Sequence, residues 1–184
     1  MDKNLVIRKA CLSDLDAVME IIAEARGTIA ALGIDQWQDG YPQREIIEAD
    51  INSGVSYCIE NTENGDILAT FGVFEAGDFL YDKIFDGAWR TGDSLSELGI
   101  GVSYTAIHRV AISVRSRGQG LSTAMIDFVA DKARKIGKKS LRIDTHEGNV
   151  VMRKMLEKHS FVHCGTIYLE NGDARVAYEK MLRY

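Results

Sequence analysis

The segment "VAISVRSRGQGLSTAM", residues 110–125, admits few folds. An apolar alternating run reads as a strand, a basic loop carries Gly118 and Gly120, and a helical pattern starts near Leu121. A strand that feeds a glycine loop into a helix leaves backbone N–H groups at the positive end of a helix dipole, a physical recipe for holding phosphate. The glycines permit close approach, and Arg115 and Arg117 offer charge-assisted hydrogen bonds of roughly 1.5–3 kcal/mol each. The plainer alternative is a turn with solvated arginines.

Two known phosphate loops can be compared with it. The nucleoside-triphosphate loop ends in Gly-Lys-Ser/Thr, whereas Gly120 is followed by Leu121, Ser122 and Thr123. The dinucleotide fingerprint fits better, since Gly118 and Gly120 satisfy G-x-G and Asp144 ends the next strand. Its third glycine is Thr123, however, and the chain beyond residue 110 is too short for a doubly wound sheet.

The flanking sequence supplies the rest of the order. Residues 5–8 read as a strand; "SDLD", residues 13–16, has capping-box spacing with Ser13 as the cap; and Leu15, Val18, Met19 and Ile22 share one helical face. Pro42 suits the first turn of a second helix. Residues 55–60 and 67–74 flank an Asn-Gly turn and predict a hairpin, and a second Asn-Gly turn joins two strands near the C-terminus. Between them "SLRID" reads as a strand and residues 149–159 as a helix. The order β-α-α-β-β-β-α-β-α-β-β predicts an α/β (α+β) fold with a mixed central sheet flanked by helices, in one domain over residues 1–184. Residues 75–105 show no sustained period and predict a functional rim or lid.

Composition narrows the function classes. The net charge of −5 argues against a nucleic-acid partner, and no run of about 18 apolar residues predicts a membrane span or a signal peptide, so a cytoplasmic location is expected. Cys11, Cys58 and Cys164 are too scattered for disulfides or metal ligation and predict buried reduced thiols. His146 and Glu147 are adjacent, but no metal-ligand spacing occurs and no metal is expected.

The segments "VAISVRSRGQGLSTAM" and "SLRIDTHEGNVVMRKMLEKHSF" together resemble the GNAT superfamily of acetyl-CoA-dependent N-acetyltransferases, and the similarity spans essentially the whole chain. The superfamily's Q/R-x-x-G-x-G/A loop maps onto Arg117, Gly118, Gln119, Gly120, Leu121 and Ser122, with serine at the last small position. The resemblance implies a mostly antiparallel GNAT sheet and acetyl-CoA as cosubstrate. It also implies that the amides of Gly118, Gln119, Gly120, Leu121, Ser122 and Thr123 cradle the coenzyme's pyrophosphate. Val110, Ala111 and Ile112 would pair with its pantetheine arm, and Asn149 occupies a family position beside the coenzyme. Two positions depart from the family pattern: Leu156 stands where many members carry the tyrosine that protonates the departing thiolate, and Ser160 replaces a glycine.

Direct transfer to an ammonium of pKa near 10 requires a base. His108 resembles the position where arylalkylamine acetyltransferases place a histidine base; its alternative is a satisfied histidine inside the sheet. Asp144 and His146 alternate onto one face at a strand's carboxyl end and form a second base candidate. The alternative has Asp144 capping the next loop or pairing with Arg142, and His146 solvated. Trp37 and Tyr41 are candidates to line an acceptor slot, with Asp35 and Asp39 available for a cation; otherwise the aromatics plug the core. Glu75, Asp78, Asp82, Asp86, Asp93 and Glu97 outnumber Lys83 and Arg90, an acidic rim that would attract an amine. The expected partner is a small-molecule or peptide amine, and a homodimer is compatible with the sequence. The second reading is a non-catalytic acyl-CoA-binding sensor on the same fold.

Overall fold

The computed structural model describes residues 4–92 and 101–183, so Asp93 and Glu97 of the acidic run lie outside the described residues. The elements are β1 (Leu5–Lys9), α1 (Leu15–Ala30), α2 (Arg44–Asn52), β2 (Ser56–Asn61), β3 (Ile67–Phe74), β4 (Tyr104–Ile112), α3 (Leu121–Lys135), β5 (Ser140–Thr145), α4 (Val150–Lys158), β6 (Val162–Tyr168) and β7 (Ala174–Met181). The order read from the sequence holds throughout. The seven strands run β1-β2-β3-β4-β5-β7-β6. The β1–β2, β2–β3, β5–β7 and β6–β7 ladders are antiparallel, whereas β4 and β5 run parallel.

The chain forms two compact units, one of residues 1–73 and 109–128 and the other of residues 74–108 and 129–184. In the first, β2 is buried on both faces, because successive strand side chains point to opposite sides. Cys58 packs with Val18, Ile22, Ile47 and Ala111 in an apolar cluster built mainly by α1 and α2, and burial pushes its thiol up to about 12. Tyr57 and Phe71, directly opposed in the β2–β3 ladder, stack at 5.8 Å and meet Phe128 of α3. Cys164 is also buried, but Cys11 is exposed, which corrects the expectation of three buried thiols.

The start of α1 differs from the capping-box reading. A short 3-10 turn, Leu12–Asp14, precedes the helix, and Asp14 rather than Ser13 closes it by accepting the Cys11 N–H at 2.8 Å. Arg8 grips the same carboxylate at 2.6 and 2.9 Å, and these bonds hold Asp14 well below the usual carboxylate range. Pro42 likewise lies before α2, whose N-cap is Gln43.

In the second unit, residues 75–92, the described first part of the segment expected to form a rim or lid, are anchored in the core. Tyr81 and Trp89 are buried with Tyr104, Ala106, Cys164, Ile167 and Ala177, and Phe85 exchanges two 2.8 Å backbone bonds with Thr166 of β6. A side chain at Gly87 would meet the Cys164 carbonyl at 1.9 Å, so only glycine fits that approach. The segment lacks a period because its aromatic anchors sit in 3-10 and irregular backbone.

α4 ends in a Schellman turn: the Phe161 N–H bonds to Leu156 O and the Ser160 N–H to Glu157 O, both at 3.0 Å. Ser160 therefore adopts φ 62°, a left-handed conformation in which a Cβ is strained. Ser160→Gly is expected to stabilise the protein by roughly 0.5–1 kcal/mol, read as a higher denaturation midpoint at unchanged slope.

Candidate active site

In the first unit the loop after β4 begins tightly tied. The Ser113 N–H bonds to Leu68 O, the Val114 N–H to Glu24 Oε2 at 2.7 Å, and the Ser116 N–H back to Ser113 O. The bonding then stops. Among the described residues the N–H groups of Gly118, Gln119, Gly120 and Leu121 make no hydrogen bond, while those of Thr123 and Ala124 return to Gly120 O. Gly118 and Gly120 stand at φ 79° and 78°, and a Cβ on either would meet nothing within 4 Å. An arc of unbonded donors thus opens onto free space at the start of a 15-residue helix.

The sequence aimed both loop arginines at an anion, but here they brace the loop. Arg117 Nη2 donates to Thr28 Oγ1 at 2.7 Å, and Arg115 Nη2 lies 3.2 Å from Asp66 Oδ2. The loop's partnerless donors are therefore backbone amides rather than these two guanidinium groups. The residues present fit a diphosphate: four successive amides without a backbone partner, two glycines with open space at the Cβ position, and the positive end of the α3 dipole.

Upstream, Ala111 is buried, while Val110 and Ile112 are half-buried on either side of it. Arg109 breaks the regular extended strand at φ 52°. Its Nε sits 3.2 Å from Asp50 Oδ2 of α2, and its guanidinium lies 5.9 Å from the Tyr41 ring. Tyr41 is 6.4 Å from Trp37, and Trp37, at φ 66°, packs against the α1–α2 cluster. Trp37 is thus partly a core plug, as the alternative reading had it. Arg26 fixes this loop by donating to the carbonyls of Gly40, Tyr41 and Pro42. Asp39 accepts the Tyr41 N–H, an Asx turn.

The second unit gathers the candidate bases. The parallel β4–β5 ladder ends at Ala106↔Arg142, so Ile107 and His108 on β4, and Ile143 to Thr145 on β5, lie where the two strands no longer pair. His108 is largely buried. Its ring meets Phe74 edge-on at 5.1 Å and Tyr81 at 5.7 Å, and its Nε2 lies 2.9 Å from Asp78 Oδ2. That contact is close but not linear: the N–H direction is out of hydrogen-bond alignment, and Nε2 has no other partner. Asp144 accepts a 2.7 Å bond from the Tyr81 hydroxyl. Burial first, and the Asp144 charge next, push the Tyr81 phenol well above its ordinary value and keep it a donor.

His108 and Asp144 therefore flank one tyrosine. Asp144 does not pair with Arg142, which is bound to Glu179, and its bond is to Tyr81 rather than to the loop before Asn149. His146 lies beyond the strand end, where its Nδ1 accepts the Gly148 N–H at 3.0 Å. Asn149 caps α4 by accepting the Met152 N–H at 3.1 Å.

The sequence model of the acetyltransferase (GNAT) family matches residues 15–161. The chain belongs to the GNAT family. A GNAT-family acetyltransferase from Streptococcus agalactiae 2603 is 33% identical over 99% of this chain and 98% of its own, with a TM-score of 0.84. One from Listeria monocytogenes 4b F2365, 20% identical over 97% of this chain and 95% of its own at TM-score 0.68, shares the fold. A search of curated proteins returned no match. A GNAT acetyltransferase is an acyltransferase that uses acetyl-CoA. No helix among the described residues is long and apolar enough to cross a membrane, and no metal-holding cluster is found among them.

As a GNAT member the chain is unusual at Leu156, which is fully buried and packs rather than protonates. Sequence reading missed Asp78, Tyr81, Arg109 and Asp50 as parts of the two clusters. Asp78 stood only in the acidic run, 30 residues from His108, and no local spacing signals that pair. For Arg109 the one available signal was its place between His108 and Val110 in an apolar strand.

Proposed function

We propose that the protein transfers the acetyl group of acetyl-CoA directly to an amine of a small molecule or peptide, as one N-acetyltransferase domain. The observation that carries this reading is the arc of unbonded amides at Gly118, Gln119, Gly120 and Leu121. In this reading those amides, with Ser122, hold the coenzyme's pyrophosphate; Thr123, whose N–H is spent on Gly120 O, offers its hydroxyl instead, and Val110, Ala111 and Ile112 offer backbone groups to the pantetheine arm. Bound acetyl-CoA supplies an activated thioester, and holding it beside the amine contributes through orientation.

His108 is the favoured base. It stands where β4 leaves its ladder, with a carboxylate 2.9 Å from one ring nitrogen to orient the imidazole. Asp144 is the second candidate. His146 ranks third, because its Nδ1 already accepts a backbone N–H. Trp37 and Tyr41 line the acceptor side in this reading, on a loop that Arg26 keeps rigid. The departing thiolate is protonated by water or by the proton that the attacking nitrogen sheds as the tetrahedral intermediate collapses, since Leu156 has none to give.

The test is release of free coenzyme A thiol when acetyl-CoA is mixed with a panel of arylalkylamines, polyamines, amino acids and short peptides. Amine-dependent release is expected. Tight acetyl-CoA binding without turnover across the panel would favour the sensor reading instead.

A further inference from the structure

Asp78 has a geometry that its place in an acidic surface run does not explain. Its Oδ1 accepts the Leu80 N–H at 2.8 Å, its own N–H donates to the Tyr104 hydroxyl at 3.1 Å, and that hydroxyl donates back to the Asp78 carbonyl at 2.9 Å. Tyr104 is buried in the second unit's core. The residue is thus held on both sides of its Cα, and the one carboxylate oxygen not given to Leu80 lies 2.9 Å from His108 Nε2.

On the histidine side, Phe74 and Tyr81 pin the ring plane, and Nε2 is shut off from water with no other acceptor in reach. A buried polar atom left in this state calls for an explanation, and catalytic hydrogen bonds in unliganded enzymes are often poorly aligned. A lone pair on Nε2 would face a carboxylate oxygen at 2.9 Å and be repelled, so Nε2 carries the proton. Nδ1 then carries the lone pair, and it makes no hydrogen bond among the described residues.

We infer that Asp78 is a positioning residue for His108: it fixes the Nε2–H tautomer and so presents Nδ1 as the atom that takes the proton from the substrate ammonium. In the step, an N–H bond of the ammonium breaks and its proton goes to Nδ1; the freed lone pair forms the C–N bond as the carbonyl π pair moves to oxygen, and collapse of that tetrahedral intermediate breaks the C–S bond, expelling the thiolate, which takes up the proton the nitrogen sheds. Groups facing the pair among the described residues include Tyr81, whose hydroxyl stays protonated on Asp144, and Tyr104, bonded to the Asp78 backbone. This inference rests on the reading of His108 as the base.

Asp78→Asn tests it sharply, because Leu80 still needs an oxygen at the Oδ1 position. The new amide must then turn its NH2 toward His108, which makes Nε2 an acceptor and drives the proton to Nδ1. Nitrogen-15 imidazole spectra of the full-length protein above neutral pH read the tautomer directly, with His108 assigned from the spectrum of His108→Ala. The expected result is Nε2–H in the wild type, Nδ1–H in Asp78→Asn and a mixture in Asp78→Ala. The Asn variant should also lose roughly 10²–10⁴-fold in kcat at little change in KM for acetyl-CoA. An unchanged tautomer in both variants overturns the inference. A tautomer that switches while kcat with the panel's best amine stays constant upholds the positioning role and instead removes His108 as the base.

Discussion

Glu179→Ala is expected to destabilise the protein by about 3–5 kcal/mol, enough to consume much of a domain's usual stability. Glu179 and Arg142 are both fully buried, with Arg142 Nε 3.0 Å from Glu179 Oε1. The guanidinium is stacked between Trp89 at 4.1 Å and Tyr104 at 4.0 Å, and its Nη2 donates to Thr91 Oγ1 and the Gly92 carbonyl. Glu179 also accepts from the Ser140 and Thr91 hydroxyls and from the Arg90 and Thr91 N–H groups. Alanine would strand a buried cation and four donors together. Glu179→Gln, which keeps an acceptor of the same shape, should lose less.

The same site predicts an acid sensitivity. Burial by itself would raise the Glu179 carboxyl, but the Ser140 and Thr91 bonds and the Arg142 charge outweigh it and hold the group below its ordinary value. A carboxylate depressed in the folded state stabilises fully above the unfolded value and loses that stabilisation as pH falls through the folded one. Urea midpoints should therefore drop below about pH 4 in the wild type, and the deficit of Glu179→Ala should shrink there. A deficit that stays constant with pH would mean that Glu179 contributes by packing alone.

The backbone plan was legible in the sequence because it rests on local signals: two Asn-Gly hairpins, one capped amphipathic helix, and the strand–loop–helix around Gly118 and Gly120. Even there the cap slipped by one residue, since Asp14 is also gripped by Arg8, a partner outside any helix-start pattern. The packing of residues 75–92 was not visible because Tyr81 and Trp89 are buried singly, by tertiary approach, and leave no period. Arg142 was the hardest case: a charge in the middle of a strand is normally read as solvent-facing, and its burial depends on Trp89, Tyr104 and Glu179, none adjacent in sequence. At the site, the loop proposed to hold the coenzyme was visible because glycine spacing encodes its backbone shape. The pairs His108–Asp78 and Tyr81–Asp144 were not, because separations of 30 and 63 residues carry no pattern in one sequence.

The loop's role admits a direct measurement: calorimetric titration of acetyl-CoA into the wild type, Gly120→Asn and Gly120→Asp. Gly120 sits at φ 78° in open space, so either side chain adds a similar backbone strain of about 1–2 kcal/mol without a clash. Asparagine and aspartate differ only in charge, and the charge would stand among the amides proposed to hold the diphosphate. Subtracting one variant from the other therefore isolates electrostatics from folding. The expected result is modest weakening in Gly120→Asn and a further loss of about 10²-fold, or ~2.7 kcal/mol, in Gly120→Asp, with both variants folded. Equal acetyl-CoA affinity in Gly120→Asn and Gly120→Asp would contradict the assignment of this loop to the coenzyme.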